Sequence, residues 1–494
     1  MKHTAATLTL LVAAIAAVGA APAAKPSGKR NLIFMISDGF GLTSEAMART
    51  FAQQTGEVDE RMGSLMDSLL KGTVQTTSSD SLVTDSAAGA TAYSCALKTY
   101  NGAIGVDPAG RPCGTILEAA KARRYTTALV TTSRITHATP ASFAAHVSHR
   151  DMEDLIAQQL IGQNVAGSGA VVDLMYGGGL CHFLPSGDKR SCRSDAKNVW
   201  QRAQQSGFRT VDSRAGFDSL NATSSQLPLL ALFAEDHMAY EIDREPAQQP
   251  SLAEMTTSAL DIVARASRAA ADAPGFFIMI EGARIDMAGH DNDPATQVRD
   301  VAAYWDAVAV AKEYVAKHPD TLLVSTSDHE TGGLALGIDG EYVWYPELLT
   351  PVSRSAESLC RELRSDKDGD VTEAIKAALP DALGIHNATS DEVARIAAGV
   401  AGSSVQCKMA VGGVVSRRAH IGWSTGGHTG TTVGLFAAGR GASRLHGNLD
   451  NTRLGRFLAD YLGVDMRPIT AAIQGTVTQQ PGFKRQARSF HVHN

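Results

Sequence analysis

The chain has no excess of positive charge, no apolar run long enough to convince as a membrane span, no internal repeat and no long low-complexity tract. Its 494 residues carry 45 Lys and Arg against 51 Asp and Glu, a formal net charge of −6. That balance leaves no basic footprint for nucleic acid or an anionic membrane. A negatively charged substrate must then be drawn in by something local, such as metal ions, rather than by the whole surface. With 44% hydrophobic and 19% charged residues the composition is ordinary for a globular protein. The length allows one large α/β domain with insertions, or two domains.

The apolar run near the start, Leu8 to Val18, is short and Ala-rich; Lys2 and His3 precede it, and Gly19, Ala20 and Ala21 follow just before Pro22. A positive region, a short apolar region and a small-residue cleavage site make a secretory signal peptide over residues 1–20 and send the chain into the secretory pathway. The run is too short for a convincing spanning anchor, so no stable membrane span is expected. Lys29-Arg30 is a dibasic pair of the kind that marks a second processing step, a weak signal because such pairs are common. Cysteine is scarce but even in number. Cys95 and Cys113 bracket a Gly-rich loop, Cys181 and Cys192 a polar one, and Cys360 and Cys407 lie in one later region. In an exported chain this suggests disulfides; six cysteines permit fifteen connectivities, of which pairing between those neighbours is the one expected, with buried free thiols as the other reading. Asn221-Ala-Thr223 and Asn387-Ala-Thr389 are N-glycosylation acceptors in that compartment.

Five apolar runs read as buried parallel strands: Asn31 to Ser37, Thr127 to Thr132, Phe276 to Ile280, Leu322 to Ser327 and Val433 to Ala438. Each is short, rich in Ile, Val, Leu or Phe, and followed by helical or loop sequence. The spacing predicts an α/β fold with a mostly parallel central sheet and helices on both faces. Helices are expected over Gly114 to Arg123, Met152 to Gln163 and Gln297 to Ala316. Residues from about 340 to 419 break the rhythm with Pro346, Pro351 and the charged stretch from Ser365 to Asp370. They read as an insertion over the sheet's edge within one unit spanning 31–475, and residues 476–494 as a polar tail.

The residues at the strand ends carry the chemistry. Asp38 comes directly after the first run, Glu281 after the third, and Asp328-His329 after the fourth. Sites in open α/β sheets form at the carboxyl ends of strands. One acidic residue there means little, because Asp commonly starts a turn; three such ends are harder to dismiss. Asp286 and His290 are spaced i and i+4, which puts both on one helical face, suited to a metal or simply to a surface pair. His428 sits in the flexible segment Gly426-Gly427-His428-Thr429-Gly430, and a lone loop His is usually just solvated. Ser86, leading into small helix-forming residues, would sit at a helix N-terminus, where the dipole and free N–H groups favour a phosphate. In isolation it reads as readily as an N-cap serine. Together Asp38, Asp286, His290, Asp328, His329 and His428 form a mixed His and carboxylate set that suits Zn²⁺, whereas oxygen-only sets suit Mg²⁺.

The strings SDGFG, TDSAAGATAYSCALKTYNGAIGVD, THATPASFAAH, EGARIDMAGH, TSDHETGG and GGHTG resemble the motif series of the alkaline phosphatase family, in the family's order, with wording nearest to fungal-type members. The resemblance runs from about Asn31 to Leu462. It implies an alkaline phosphatase-like fold with an insertion over the active-site edge, and a centre of two Zn²⁺ and one Mg²⁺. Asp286, His290 and His428 would hold the first zinc. Asp38, Asp328 and His329 would hold the second, and Asp38 would bridge to a magnesium completed by Thr139 and Glu281. It further implies Ser86 as nucleophile and Arg150 as the guanidinium that clamps phosphate oxygens, a role its planar fork suits. The reaction implied is hydrolysis of small phosphate monoesters by two displacements at phosphorus, in a homodimer.

One departure stands out. At the positions of His137 and Met287, family members commonly carry Asp with Lys, or His with His. Both are expected beside the third metal rather than on it, and Met287 can neither carry charge nor hydrogen-bond strongly. Two enzymatic alternatives share such a core. A sulfatase needs a C/S-x-P-x-R context, which does not surround Ser86; phosphodiesterases tend to lack the Arg clamp, for which Arg150 stands here. A non-catalytic phosphate-binding protein would require a lost ligand or nucleophile, and none is missing.

Overall fold

The computed structural model describes residues 28–56, 64–163, 169–223, 227–270, 272–365 and 370–476. The expected signal peptide and polar tail (beyond residue 476) lie outside the described residues. Ten strands build one sheet: β1 (Asn31–Ser37), β2 (Leu70–Gln75), β3 (Thr126–Arg134), β4 (Leu174–Gly178), β5 (Arg209–Val211), β6 (Leu229–Leu232), β7 (Phe276–Gly282), β8 (Thr321–Thr326), β13 (Val433–Gly439) and β14 (Gly447–Asp450). The remaining four, β9 (Glu330–Thr331), β10 (Leu334–Leu336), β11 (Ile421–Trp423) and β12 (His428–Thr429), pair as two small ribbons, β10 with β11 and β12 with β9. The order across the large sheet is β14-β2-β13-β8-β1-β7-β3-β4-β6-β5.

Why the apolar runs are continuous is visible in where alternate residues go. Along β1, Ile33 and Met35 enter one apolar cluster while Leu32, Phe34 and Ile36 enter the other. Along β7, Phe276, Ile278 and Ile280 take the first side and Phe277 and Met279 the second. A strand covered on both faces needs apolar residues at every position. The first face is covered by helices Leu42–Gln54, Leu252–Ala269 and Pro294–Lys317, the second by Ser86–Cys95, Ile116–Ala122 and Asn451–Leu462.

From β8 through β5 all neighbouring strands are parallel. The run Val433 to Ala438 differs from its expected direction, because β13 lies antiparallel to both β8 and β2. Residues 433–437 of this strand are buried like those of β1, and burial on two faces leaves no trace of direction in a sequence.

The expected helices all appear. Two are shorter than expected, Ile116–Ala122, started by a Thr115–Glu118 capping box, and Glu153–Leu160; the third, Pro294–Lys317, capped by Asp293, extends past its expected range at both ends. Within 340–419, helices Ala356–Ser365, Val371–Leu383, Ser390–Ala401 and Ser404–Arg418 bury Leu359, Leu379, Ile396 and Val411 in the same apolar cluster as the helix Pro294–Lys317. The cysteines pair as neighbours, Cys95–Cys113, Cys181–Cys192 and Cys360–Cys407. Among the described residues no helix is long and apolar enough to cross a membrane.

Candidate active site

The four adjacent strands β8, β1, β7 and β3 end side by side, and their carboxyl ends supply most of the site. Asp38 follows β1, Glu281 is the penultimate residue of β7, and Asp328 and His329 follow β8 after one intervening serine. The turn after β3 leads into the short helix Ala138–Ala141, whose N-cap is His137 and whose second residue is Thr139. After β7 the chain turns into the helix Arg284–His290, so Asp286 and His290 face the site one turn apart. His428 arrives from the far end of the chain on β12, which pairs with β9 so that His428 lies opposite Thr331.

These segments converge. Ligand atoms of Asp286, His290 and His428 lie within 4.8 Å of one another, as do those of Asp38, Asp328 and His329, and those of Asp38, His137 and Glu281. In the first group His290 Nε2 is 3.2 Å from Asp286 Oδ2, and His428 Nε2 is 3.6 Å from Asp286 Oδ1. The other ring nitrogens face backbone carbonyls, His290 Nδ1 at 2.6 Å from Gly426 O and His428 Nδ1 at 2.9 Å from Thr84 O. A carbonyl can only accept, so each Nδ1 carries a proton and each Nε2 faces the cluster. The Thr331 hydroxyl donates to Asp286 Oδ1 and orients that carboxylate. Gly39 makes the close approach of β1 to this helix: at φ +72° a Cβ there would meet Asp286 Cα at 2.5 Å.

The electrostatics call for cations. Asp38, Glu281, Asp286 and Asp328 are all buried. Burial, then the charges of Asp328, Asp286 and Glu281, hold Asp38 well above the usual carboxylate range. Asp328 and Glu281 are each pushed up to about 7, chiefly by burial, with the Thr131, Thr139 and Ser133 hydroxyls pulling Glu281 back. Burial opposes ionisation of Asp286 too, yet His290, His428 and His329 hold it well below its ordinary value. His329 and His428 are depressed by burial and by neighbouring imidazoles, His428 to about 4, which keeps their lone pairs free. Asp38 Oδ2, Asp328 Oδ2, Glu281 Oε1 and Thr139 Oγ1 are buried and make no hydrogen bond of regular geometry. Buried carboxylate oxygens without a regular protein hydrogen bond are what a set of divalent ions would satisfy, so the donor set fits metals.

Ser86 faces this cluster. It is the first residue of the helix Ser86–Cys95, and its Oγ lies 3.0 Å from His329 Nε2 and 3.5 Å from Asp38 Oδ1. The N-cap is Asp85, not Ser86: Asp85 Oδ1 accepts from Ala88 N–H, which frees the serine hydroxyl for the site. Asp85 Oδ2 accepts from Gly102 N–H and from Arg150 Nη1, and Arg150 Nη2 lies 3.0 Å from His137 Nε2.

All ten expected site residues therefore gather at one edge of the sheet. Two further residues join the site beyond the roles expected of them. Asp85 was readable, since an acidic residue just ahead of a small-residue helix is an N-cap signature. His137 was expected beside the third metal group, but its ring reaches Asp38 and Glu281 at ligand distance, and no local pattern reveals that. Met287 lies half-buried on the other side of its helix turn, its sulfur 2.8 Å from Arg284 Nη1.

A family model described as alkaline phosphatase matches residues 29–464. The repressible alkaline phosphatase of Saccharomyces cerevisiae is 43% identical over 91% of this chain and 84% of its own length. An alkaline phosphatase of Schizosaccharomyces pombe is 42% identical over 90% and 83%. Among solved structures, the cold-active alkaline phosphatase of a Shewanella species superposes with a TM-score of 0.74 at 32% identity, covering 87% of this chain and 99% of its own. That of Thermus thermophilus superposes at 0.76 with 28% identity, covering 91% and 96%.

Proposed function

The chain belongs to the alkaline phosphatase family, and from that premise we propose that it hydrolyses small phosphate monoesters through a phosphoserine formed on Ser86. The observation that carries the reading is the Ser86 hydroxyl at a helix N-terminus, 3.0 Å from His329 and 3.5 Å from Asp38, beside buried carboxylate oxygens that make no hydrogen bond of regular geometry. Asp286, His290 and His428 would hold one zinc, and Asp38, Asp328 and His329 a second. Asp38, Thr139 and Glu281 would hold a magnesium, with His137 close enough to join them. When bound, such ions supply Lewis acidity that acidifies a hydroxyl or water and stabilises a leaving oxygen.

The chain's own residues do the rest. Ser86 Oγ attacks phosphorus in line and the alcohol departs; water then displaces Ser86 Oγ, so two inversions give net retention. Arg150 holds two phosphate oxygens while Asp85 fixes the guanidinium from behind. Recognition centred on the phosphate, with few contacts to the alcohol, gives a broad monoester specificity. Residues 31–475 act as one catalytic unit with 340–419 as an insertion. The chain is secreted after loss of residues 1–20, glycosylated at Asn221 and Asn387, and homodimeric. Three disulfides support an oxidising compartment, and Asn387 is exposed.

The test compares p-nitrophenyl phosphate with its sulfate and bis-phosphodiester analogues, beside metal analysis of the same protein. Turnover is expected to be highest on the monoester, with zinc and magnesium present at two to one. Ser86→Ala should abolish labelling of the protein by phosphate and leave only slow hydrolysis. Preference for the sulfate or diester, or labelling at another residue, would overturn the reading.

A further inference from the structure

Behind the phosphate clamp lies a buried histidine to which the proposed reaction gives no part. The His146 side chain is 1% exposed. Its four polar groups are all engaged: Nδ1 lies 2.7 Å from Gly105 O, Nε2 lies 2.9 Å from Glu118 Oε1, and its backbone N–H and C=O bond the Gln159 amide at 2.7 and 3.2 Å. Glu118 is itself fixed, because its other oxygen accepts from Thr115 N–H in the capping box that starts the helix Ile116–Ala122. Since a carbonyl only accepts, His146 Nδ1 is a donor. Burial alone would depress the ring's pKa, but Glu118 and the bond to Gly105 hold it above the usual value.

The segment that His146 grips runs straight to the clamp. Ile104 and Val147 exchange backbone hydrogen bonds of 3.1 and 3.0 Å. Two residues back, Gly102 O accepts from Arg150 N–H at 2.8 Å, and Gly102 N–H donates to Asp85 Oδ2 at 2.9 Å. The same Asp85 oxygen receives Arg150 Nη1 at 3.1 Å. Gly105 is pressed so closely against this histidine that a Cβ at its φ of +57° would meet Ala145 O at 2.2 Å and His146 Nδ1 at 2.8 Å. Gly102 to Gly105 is thus a short strap, joined to Asp85 and Arg150 at one end; at the other, the Gly105 carbonyl accepts from His146 Nδ1 and from Cys113 N–H, and Gly105 N–H donates to Thr91 Oγ1.

We propose that His146 is a positioning residue for phosphate binding: by pinning the Gly105 carbonyl through Nδ1, it holds the strap that sets Arg150 and Asp85. The inference rests on the clamp role proposed for Arg150. It differs from that of an ordinary core histidine because only one of the two ring nitrogens should matter for phosphate.

The ring can be divided by substitution. His146→Asn keeps an amide donor near the Nδ1 position and loses Glu118; His146→Gln keeps a donor near Nε2 and loses Gly105. Inhibition by inorganic phosphate, KM and kcat on p-nitrophenyl phosphate, zinc content and Tm are measured on both. His146→Gln should raise the phosphate Ki and KM by about 5- to 30-fold with kcat little changed, while His146→Asn stays near wild type, both retaining zinc. In an Arg150→Ala background, His146→Gln should add nothing. Equal effects of the two substitutions, or no effect of either, overturn the proposal. Should either fail to fold, Glu118→Gln leaves the Gly105 bond intact and must bind phosphate like wild type; a loss there also overturns it. Unchanged phosphate binding in Arg150→Ala alone would instead sink the clamp role itself.

Discussion

Asp85 and Arg150 meet at 3.1 Å directly behind Ser86, so the carboxylate that caps the nucleophile's helix also aims the guanidinium. Its two oxygens divide the work. Oδ1 serves Ala88 N–H, and Oδ2 serves Gly102 N–H and Arg150. Asp85→Asn keeps a cap acceptor but turns the second oxygen into an amide that cannot accept. The phosphate Ki and KM are expected to rise about 10-fold, while labelling of Ser86 by phosphate persists. Arg150→Ala should cost about 10- to 100-fold in kcat/KM on the same grounds, with metal content unchanged. Loss of metal in either variant would contradict this division of roles.

Gly39 separates the two expected zinc groups, its N–H donating to Asp328 Oδ1 at 3.3 Å while its Cα approaches Asp286. Gly39→Ala combines an unfavourable positive φ with a contact that backbone must relieve. Zinc content measured after dialysis should fall, and activity should return only in excess zinc. Wild-type zinc retention would show that the loop can yield without moving Asp286.

The resemblance puts Met287 beside the third metal group. Its sulfur rests on Arg284 and offers no hydrogen bond to a metal-coordinated water. Chelated wild-type protein is therefore expected to need more Mg²⁺ for reactivation than Met287→His, by about 10-fold or more. Titrating both with Mg²⁺ by calorimetry and by activity checks this. Coincident curves would mean that Met287 only fills space.

Stability should respond to pH through a carboxyl that has no part in the proposed reaction. Glu45 is buried in the helix Leu42–Gln54, where it accepts from the Ser64 hydroxyl and from Trp305 Nε1, and burial raises its pKa to about 7. Between its ordinary value and about 7 the folded protein holds a proton that the unfolded chain has lost. Stability contributed by Glu45 is thus full at low pH and falls as pH rises through that window, by at most about 1.4 kcal/mol per unit. Glu45→Gln, which keeps an acceptor for Trp305, should raise Tm at pH 8 more than at pH 5. An equal shift at both values would remove Glu45 from the account.

The contrast between His290 and His137 shows how far the sequence reached. Asp286 and His290 share one helical turn, so their common face followed from spacing alone, and the strand-end positions of Asp38 and Asp328-His329 followed from the buried runs before them. Asp85 was as legible, because a helix cap is also local.

His137 was not, because whether its ring touches Asp38 and Glu281 depends on β3 lying beside β7, and β7 beside β1. The direction of β13 was hidden for the same kind of reason, since a strand buried on both faces has the same composition either way. The sequence by itself determined the residue types, the helical spacings and the covered strands. Only the tertiary structure decided which strand ends adjoin, that Asp85 reaches Arg150 across 65 residues, and that His146 grips Gly105 across 41. Local geometry is set by the chain's own bond angles and periodicities; contacts between distant segments are set by the order in which strands pack, and no short stretch of sequence encodes that order.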